Sequence, residues 1–219
     1  MLTDRFPVNV VVCGVGGQGN VLVSQILGHM MQRAGFVVTI GETYGASQRG
    51  GSVMSHVRLS PSLQLGPLIP EGTADLIVGL EPAETLRMLE PYGHPGVKVL
   101  TNTRTVEALE PTGARAPYPS LEVIFDHLRE LSDRAWTIEA TELALSLGDA
   151  ILTNMVMLGA LCELKLLPFD RRAFDLAVRE VLPRADTASN ARAFQMGRDA
   201  VSLIDPDPSG RRPPRGSPG

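Results

Sequence analysis

The most constraining stretch is Val8 to Gly19, VNVVVCGVGGQG. A continuous β-branched run suits a strand covered on both faces. Gly14, Gly16 and Gly19 then fit G-x-G-x-x-G. From Asn20 to about Arg33 the apolar residues Leu22, Val23, Ile26, Leu27, Met30 and Met31 recur at helical spacing, and Gly35 is placed to end that helix. Strand, glycine turn and helix in this order predict an α/β chain. Such a turn lets an anion approach backbone N–H groups at a helix N-terminus. The same glycines would also serve a plain tight turn or a contact with another chain, so spacing leaves both readings open. Gly17 and Gln18 are not demanded by the fingerprint; a Gln here can hydrogen-bond a ligand or hold a neighbouring loop.

The rest of the chain extends the pattern. Phe36 to Ile40 predicts the next strand, parallel to the first by the usual β-α-β rule. Val53 to Leu59 alternates, with Val53, Ser55, Val57 and Leu59 on one face and Met54, His56 and Arg58 on the other. Ala74 to Leu80, Val97 to Asn102 and Ala135 to Glu139 read as further strands. Short helices are expected at Ala83 to Leu89 and Leu121 to Leu131. From Thr141 the chain is helical: Thr141 to Leu147, Asp149 to Lys165, Asp170 to Val181 and Asp186 to Leu203. The prediction is a Rossmann-like, mostly parallel sheet with a helical C-terminal third, as one domain over residues 1–204. The Pro/Gly/Arg-rich stretch 205–219 is expected to be a disordered tail.

Several function classes are excluded by composition. A net charge of -4 argues against a nucleic-acid partner. The two cysteines, Cys13 and Cys162, make no disulfide framework and no cluster or CxxC site, and Cys13 lies in an apolar run that should be core. The four histidines show no metal-ligand spacing, so no metal site is expected. His29 reads as surface or satisfied core, His56 as structural, and Tyr92, Tyr118 and Trp136 as packing. No apolar stretch is long enough to span a bilayer, and the charged N-terminus does not read as a signal peptide. A cytoplasmic protein is the expectation.

The second glycine-rich segment is Gly41 to Ser52 (GETYGASQRGGS), and Gly41 to Gly51 is read as a loop. Glu42 lies about where an acidic residue would hold a ribose in a dinucleotide site. Gly45, Gly50 and Gly51 imply unusual backbone angles or close approach. Arg49, between small residues, can present a planar fork to a carboxylate or phosphate, and Ser47, Ser52 and Ser55 add hydroxyls. A lone loop arginine is commonly just solvated. Against that, this loop leaves the carboxyl end of a strand, where open α/β sheets bind ligands. Two glycine-rich loops at one sheet edge predict a shared surface.

GVGGQG, a helix, an acidic residue and then YGASQRGGSVMSHVRLS resemble the gamma domain of the 2-oxoacid (pyruvate/ketoisovalerate type):ferredoxin oxidoreductases, and within it the small (beta) subunits of the indolepyruvate enzymes. Asn154 to Leu161, Leu167-Pro168 and Asn190 to Gly197 resemble the family's closing helices, so the resemblance covers about residues 7 to 201. It implies a chain that works beside a larger subunit carrying thiamine diphosphate, Mg and iron–sulfur clusters. The complex would convert a 2-oxoacid and CoA to acyl-CoA and CO2 while reducing ferredoxin. This chain shows neither a cluster cysteine set nor a GDG-type thiamine signature, so no cofactor is expected on it alone. Indolepyruvate members often carry His-Gly-Met before the Gln-Arg pair. Here Tyr44-Gly45-Ala46-Ser47 stands there, which leaves other aryl or branched 2-oxoacids open. The resemblance ranks Gly14, Gly16, Gly17, Gln18, Gly19, Glu42, Tyr44, Gly45, Arg49, Gly50, Gly51 and Ser52 as the ligand- or partner-binding set. Arg49 is its leading candidate for contact with substrate, CoA or partner; a homodimer is a further possibility. The competing readings are a stand-alone dinucleotide oxidoreductase using Glu42 and a non-enzymatic interaction module.

Overall fold

The structure, a computed structural model, describes residues 1–44, 51–106 and 118–204. Gly45, Arg49, Gly50 and the tail 205–219 lie outside the described residues. A six-stranded mixed sheet forms the centre, in the order β2-β3-β1-β4-β5-β6. The strands are β1 (Val8–Val15), β2 (Val37–Tyr44), β3 (Ser52–Ser60), β4 (Leu76–Gly79), β5 (Lys98–Asn102) and β6 (Arg134–Ile138). β1, β4, β5 and β6 run parallel, while β3 is antiparallel to both β1 and β2.

Two expectations are corrected here. The β-α-β unit does not place β2 beside β1, because β3 folds back and takes that position. The second strand also runs past Ile40 to Tyr44, so Gly41 and Glu42 are strand residues rather than the start of a loop. The reason is pairing: every residue from Val37 to Tyr44 has a partner on β3, ending with Tyr44 opposite Val53. Ladder bonds carry Gly41 and Glu42, poor strand formers by themselves, as extended chain.

β1 reads as a continuous apolar run because both its faces are covered. Val8, Val10 and Val12 join one buried cluster with α1 (Asn20–Arg33), α5 (Thr153–Glu163) and α7 (Thr187–Ile204). Val11 and Cys13 join the other, under α2 (Pro82–Tyr92) and α3 (Leu121–Leu131). Cys13 is fully buried, as expected, and burial pushes its thiol pKa far up. α4 (Ala140–Ser146) and α6 (Arg171–Val181) complete the helical layer on the first face.

The expected single helix over Asp149 to Lys165 divides. Ala150–Leu152 is a 3-10 turn capped by the Asp149 carboxylate, and α5 starts at Thr153. α5 is apolar all round and almost wholly buried, which suits a helix packed against α7, α4 and α1. Glycines set its closeness to α7. A Cβ at Gly159 would overlap the Phe194 carbonyl, and one at Gly197 would overlap the Val156 carbonyl. The rings of Phe174 and Phe194 stack beside this crossing with centroids 4.1 Å apart.

Candidate functional site

The chain changes faces between β1 and β4: α1 follows β1 on one face and α2 follows β4 on the other. The crevice outside the carboxyl ends of such strands is where open α/β sheets bind ligands. Both glycine-rich segments arrive there. The Gly16 N–H donates to the Gly51 carbonyl at 2.8 Å, and Val15 pairs with Ser52 across the β1–β3 ladder. The described ends of the two segments are thus brought together at Gly16 and Gly51.

The turn after β1 is shaped by its side chains as well as its glycines. Gln18 folds across it: Oε1 accepts the Val15 N–H at 2.7 Å and Nε2 donates to the Leu80 carbonyl at 3.1 Å. A Cβ at Gly14 would stand 2.6 Å from that Oε1. Gln18 thus ties the end of β1 to the end of β4. The chain of polar contacts goes on along the sheet edge. Asn102 Nδ2 donates to the same Leu80 carbonyl at 3.2 Å and to Thr141 Oγ1 at 2.9 Å, and Thr153 Oγ1 donates to Thr141 Oγ1 at 3.3 Å. The start of α5 is thereby held against the glycine turn.

α1 begins without a capping side chain. Its N-cap is Gly19, in the left-handed region at φ 85, and a Cβ there would overlap the Asn154 amide. Asn20 and Asn154 are 2% and 3% exposed. Among the described residues Nδ2 and Oδ1 of Asn20 and Oδ1 of Asn154 have no hydrogen-bond partner. Buried polar atoms are satisfied in the great majority of cases, and each one left unpaired costs about 1–3 kcal/mol. Three unpaired amide atoms at an uncapped helix N-terminus are chemically able to meet an anionic or amide-bearing ligand. Gly17, at φ 102, forms the exposed apex of the turn. Neither asparagine was singled out as a site from the sequence; only their juxtaposition marks them.

Glu42 does not belong to this cradle. Its carboxylate accepts from Ser55 Oγ at 2.6 Å and from Ser24 Oγ at 3.2 Å. Because β3 intervenes, β2 lies two strands from β1, roughly 10 Å rather than 5 Å. A ribose on the glycine turn has no acidic partner in the usual place, and the dinucleotide reading loses its second element. Tyr44 closes β2, with its backbone opposite Val53.

His56 is structural, as expected. The Ile69 N–H donates to its Nδ1 at 3.2 Å, so Nε2 carries the proton toward Thr43 Oγ1 at 3.3 Å. Burial and, after it, Arg58 hold its pKa below 6.5. Arg58 clamps the irregular segment after β3, donating to Asn9 Oδ1 and to the Gly66 and Leu68 carbonyls. Tyr118 is more than packing: its hydroxyl donates to the buried Glu81 carboxylate, whose pKa burial raises. His29 pairs with Glu180 at 3.1 Å, partly exposed.

Among the described residues no three His, Cys, Asp or Glu side chains gather as a metal ligand set. No described helix is long and apolar enough to cross a membrane.

Comparison with known proteins agrees with this fold. The chain is 39% identical over 189 residues to the indolepyruvate oxidoreductase subunit IorB of Archaeoglobus fulgidus, covering 86% of this chain and 92% of that one. It is 26% identical over 192 residues to the 2-oxoglutarate synthase subunit KorC of Methanothermobacter thermautotrophicus, covering 87% and 93%. The fold matches the gamma subunit of a keto/oxoacid ferredoxin oxidoreductase from Geobacter sulfurreducens, with a TM-score of 0.63, 22% identity, and 90% and 99% of the two chains covered. It also matches part of the 2-oxoglutarate:ferredoxin oxidoreductase of Magnetococcus marinus, with a TM-score of 0.69 and 21% identity, over 96% of this chain and 32% of that one. The family model described as pyruvate ferredoxin/flavodoxin oxidoreductase covers residues 9–200, and the chain belongs to that family.

Proposed function

We propose that this chain is the small subunit of a 2-oxoacid:ferredoxin oxidoreductase acting on indolepyruvate or a related aryl 2-oxoacid. In this reading a larger subunit carries thiamine diphosphate, Mg and the iron–sulfur clusters. The 2-oxoacid loses CO2, its acyl group passes to CoA, and the electrons released go to ferredoxin. The small subunit works in the cytoplasm and binds no cofactor tightly when alone. Its part is to complete the surface that meets CoA and substrate. The observation that carries this is the pair of orphaned carboxamides, Asn20 and Asn154, at the uncapped N-terminus of α1. Among the described residues no side chain or backbone group satisfies them. Arg49, two residues before Gly51 in the sequence, would add a guanidinium for a carboxylate or phosphate.

The test is steady-state kinetics of the reconstituted complex. Asn20→Asp adds a negative charge that a helix N-terminus tolerates and an incoming anion does not. The expected result is a KM for CoA or 2-oxoacid raised about tenfold, the loss of roughly one hydrogen bond to a charged group, with assembly unchanged. Unchanged KM values for both substrates would reject the crevice as the binding surface. Arg49→Ala should lower turnover with the complex still assembled; full turnover would restore the interaction-module reading.

A further inference from the structure

A second site lies across the molecule from the crevice. From Asn154, its second residue, which stands against Gly19, α5 runs beside α1 to Glu163, about 13 Å along the helix. There the α5–α6 turn, the first turns of α6 and the Arg198 side chain of α7 enclose a cleft of about 720 Å³. Its charges are sorted. Glu163 accepts from Arg198 Nε at 2.8 Å, Asp175 accepts from Arg171 Nε at 2.8 Å, and Asp170 caps α6 by accepting the Ala173 N–H at 2.8 Å. All three lining carboxylates are thus engaged inside the fold. Lys165, Arg172 and Arg179 also line the cleft, are exposed, and have no ion-pair or hydrogen-bond partner for their side chains among the described residues. In a chain of net charge -4 they leave this cleft locally positive.

Lys165 is the one described non-glycine residue at positive φ, 52°. It stands just past the C-cap of α5, where glycine or asparagine is favoured, and the left-handed conformation costs a lysine about 1–2 kcal/mol. That strain is kept where the side chain brings charge to the cleft. The floor is apolar, with Phe169, Leu176 and Cys162 among the lining residues. A small anion is normally gripped by convergent, buried donors. Here the free cations stand at an exposed rim around an apolar floor, the arrangement of a protein interface.

We infer that this cleft is a docking site for an acidic segment of the larger subunit, with an apolar side chain seated on the Phe169–Leu176 floor and carboxylates on Lys165, Arg172 and Arg179. The inference rests on the two-subunit reading above. The experiment measures association of the full-length chain with the larger subunit from the same source over a salt series. Three pairs of substitutions are compared: R172E/R179E, R172K/R179K, and R5E/R192E as a control with the same change in net charge. Circular dichroism confirms the fold of each. Expected is an R172E/R179E dissociation constant at least about tenfold above wild type, with a shallower salt dependence, while the other two pairs stay near wild type. Wild-type association by R172E/R179E overturns the docking site and leaves the two-subunit reading standing. Equal weakening by R5E/R192E overturns it as a mere net-charge effect. If the wild-type chain does not associate with the larger subunit, the docking site and the two-subunit reading both fall.

Discussion

His56 shows how a residue's surroundings decide its part. Its ring accepts from the Ile69 N–H and meets Thr43 Oγ1, all in a site 1% exposed. Burial and Arg58 depress its pKa, so the folded state resists protonation while the unfolded chain takes a proton at its ordinary 6.5. The stability this contributes is present above pH 6.5 and is lost as pH falls through the folded pKa. Denaturant midpoints measured from pH 8 downward should therefore begin to fall near pH 6.5. His56→Gln should flatten that limb at a cost of about 1–3 kcal/mol for the disturbed hydrogen bonds. Glu81 has the opposite sign. Burial raises its pKa above 4.5, so its contribution is present below 4.5 and declines as pH rises through the folded value. Glu81→Gln should remove that decline in the same measurement. Neither effect is legible in the sequence, where His56 and Glu81 are merely polar residues in or beside strands; both depend on burial and on partners more than ten residues away.

At the scale of elements, the α5–α7 crossing is the tightest test. Gly159→Ala drives a methyl into the Phe194 carbonyl and Gly197→Ala does the same to Val156. Overpacking of this kind costs about 1–3 kcal/mol, read as a lower thermal midpoint. Because α5 also places Asn154 at the crevice, Gly159→Ala should weaken substrate binding in the assembled complex as well. Gly19→Ala meets strain of another sort, about 1–2 kcal/mol for a left-handed alanine, together with a clash with the Asn154 amide. Helical periodicity was enough to place α1 over its observed span and α6 and α7 to within one residue at each end. It did not divide the segment before α5, because a 3-10 turn followed by an α-helix keeps nearly the same apolar spacing. The end of β2 was missed for a different reason: its last residues are extended through their ladder partners, and a partner strand leaves no periodic mark.

For the whole molecule, strand order decides between the competing readings. With β3 between β1 and β2, Glu42 is held by Ser24 and Ser55 and stands away from the glycine turn. Calorimetry of the isolated chain with NAD, NADP and FAD should accordingly show no tight binding; saturable dinucleotide binding would revive the stand-alone oxidoreductase.

The buried strand, the glycine turn, the helix after it, the helical last third and the family can all be read from the residues alone, since these are carried by positions close together in the chain or by motifs spelled out in order. Folding in three dimensions is what sets β3 beside β1, makes Glu42 a tie between α1 and the paired β2 and β3, and brings Asn20 and Asn154 into one corner with no partner for their amide atoms among the described residues. Those outcomes depend on which distant groups meet and which find no partner, and hydrogen-bond satisfaction is a property of the folded neighbourhood that no local pattern encodes.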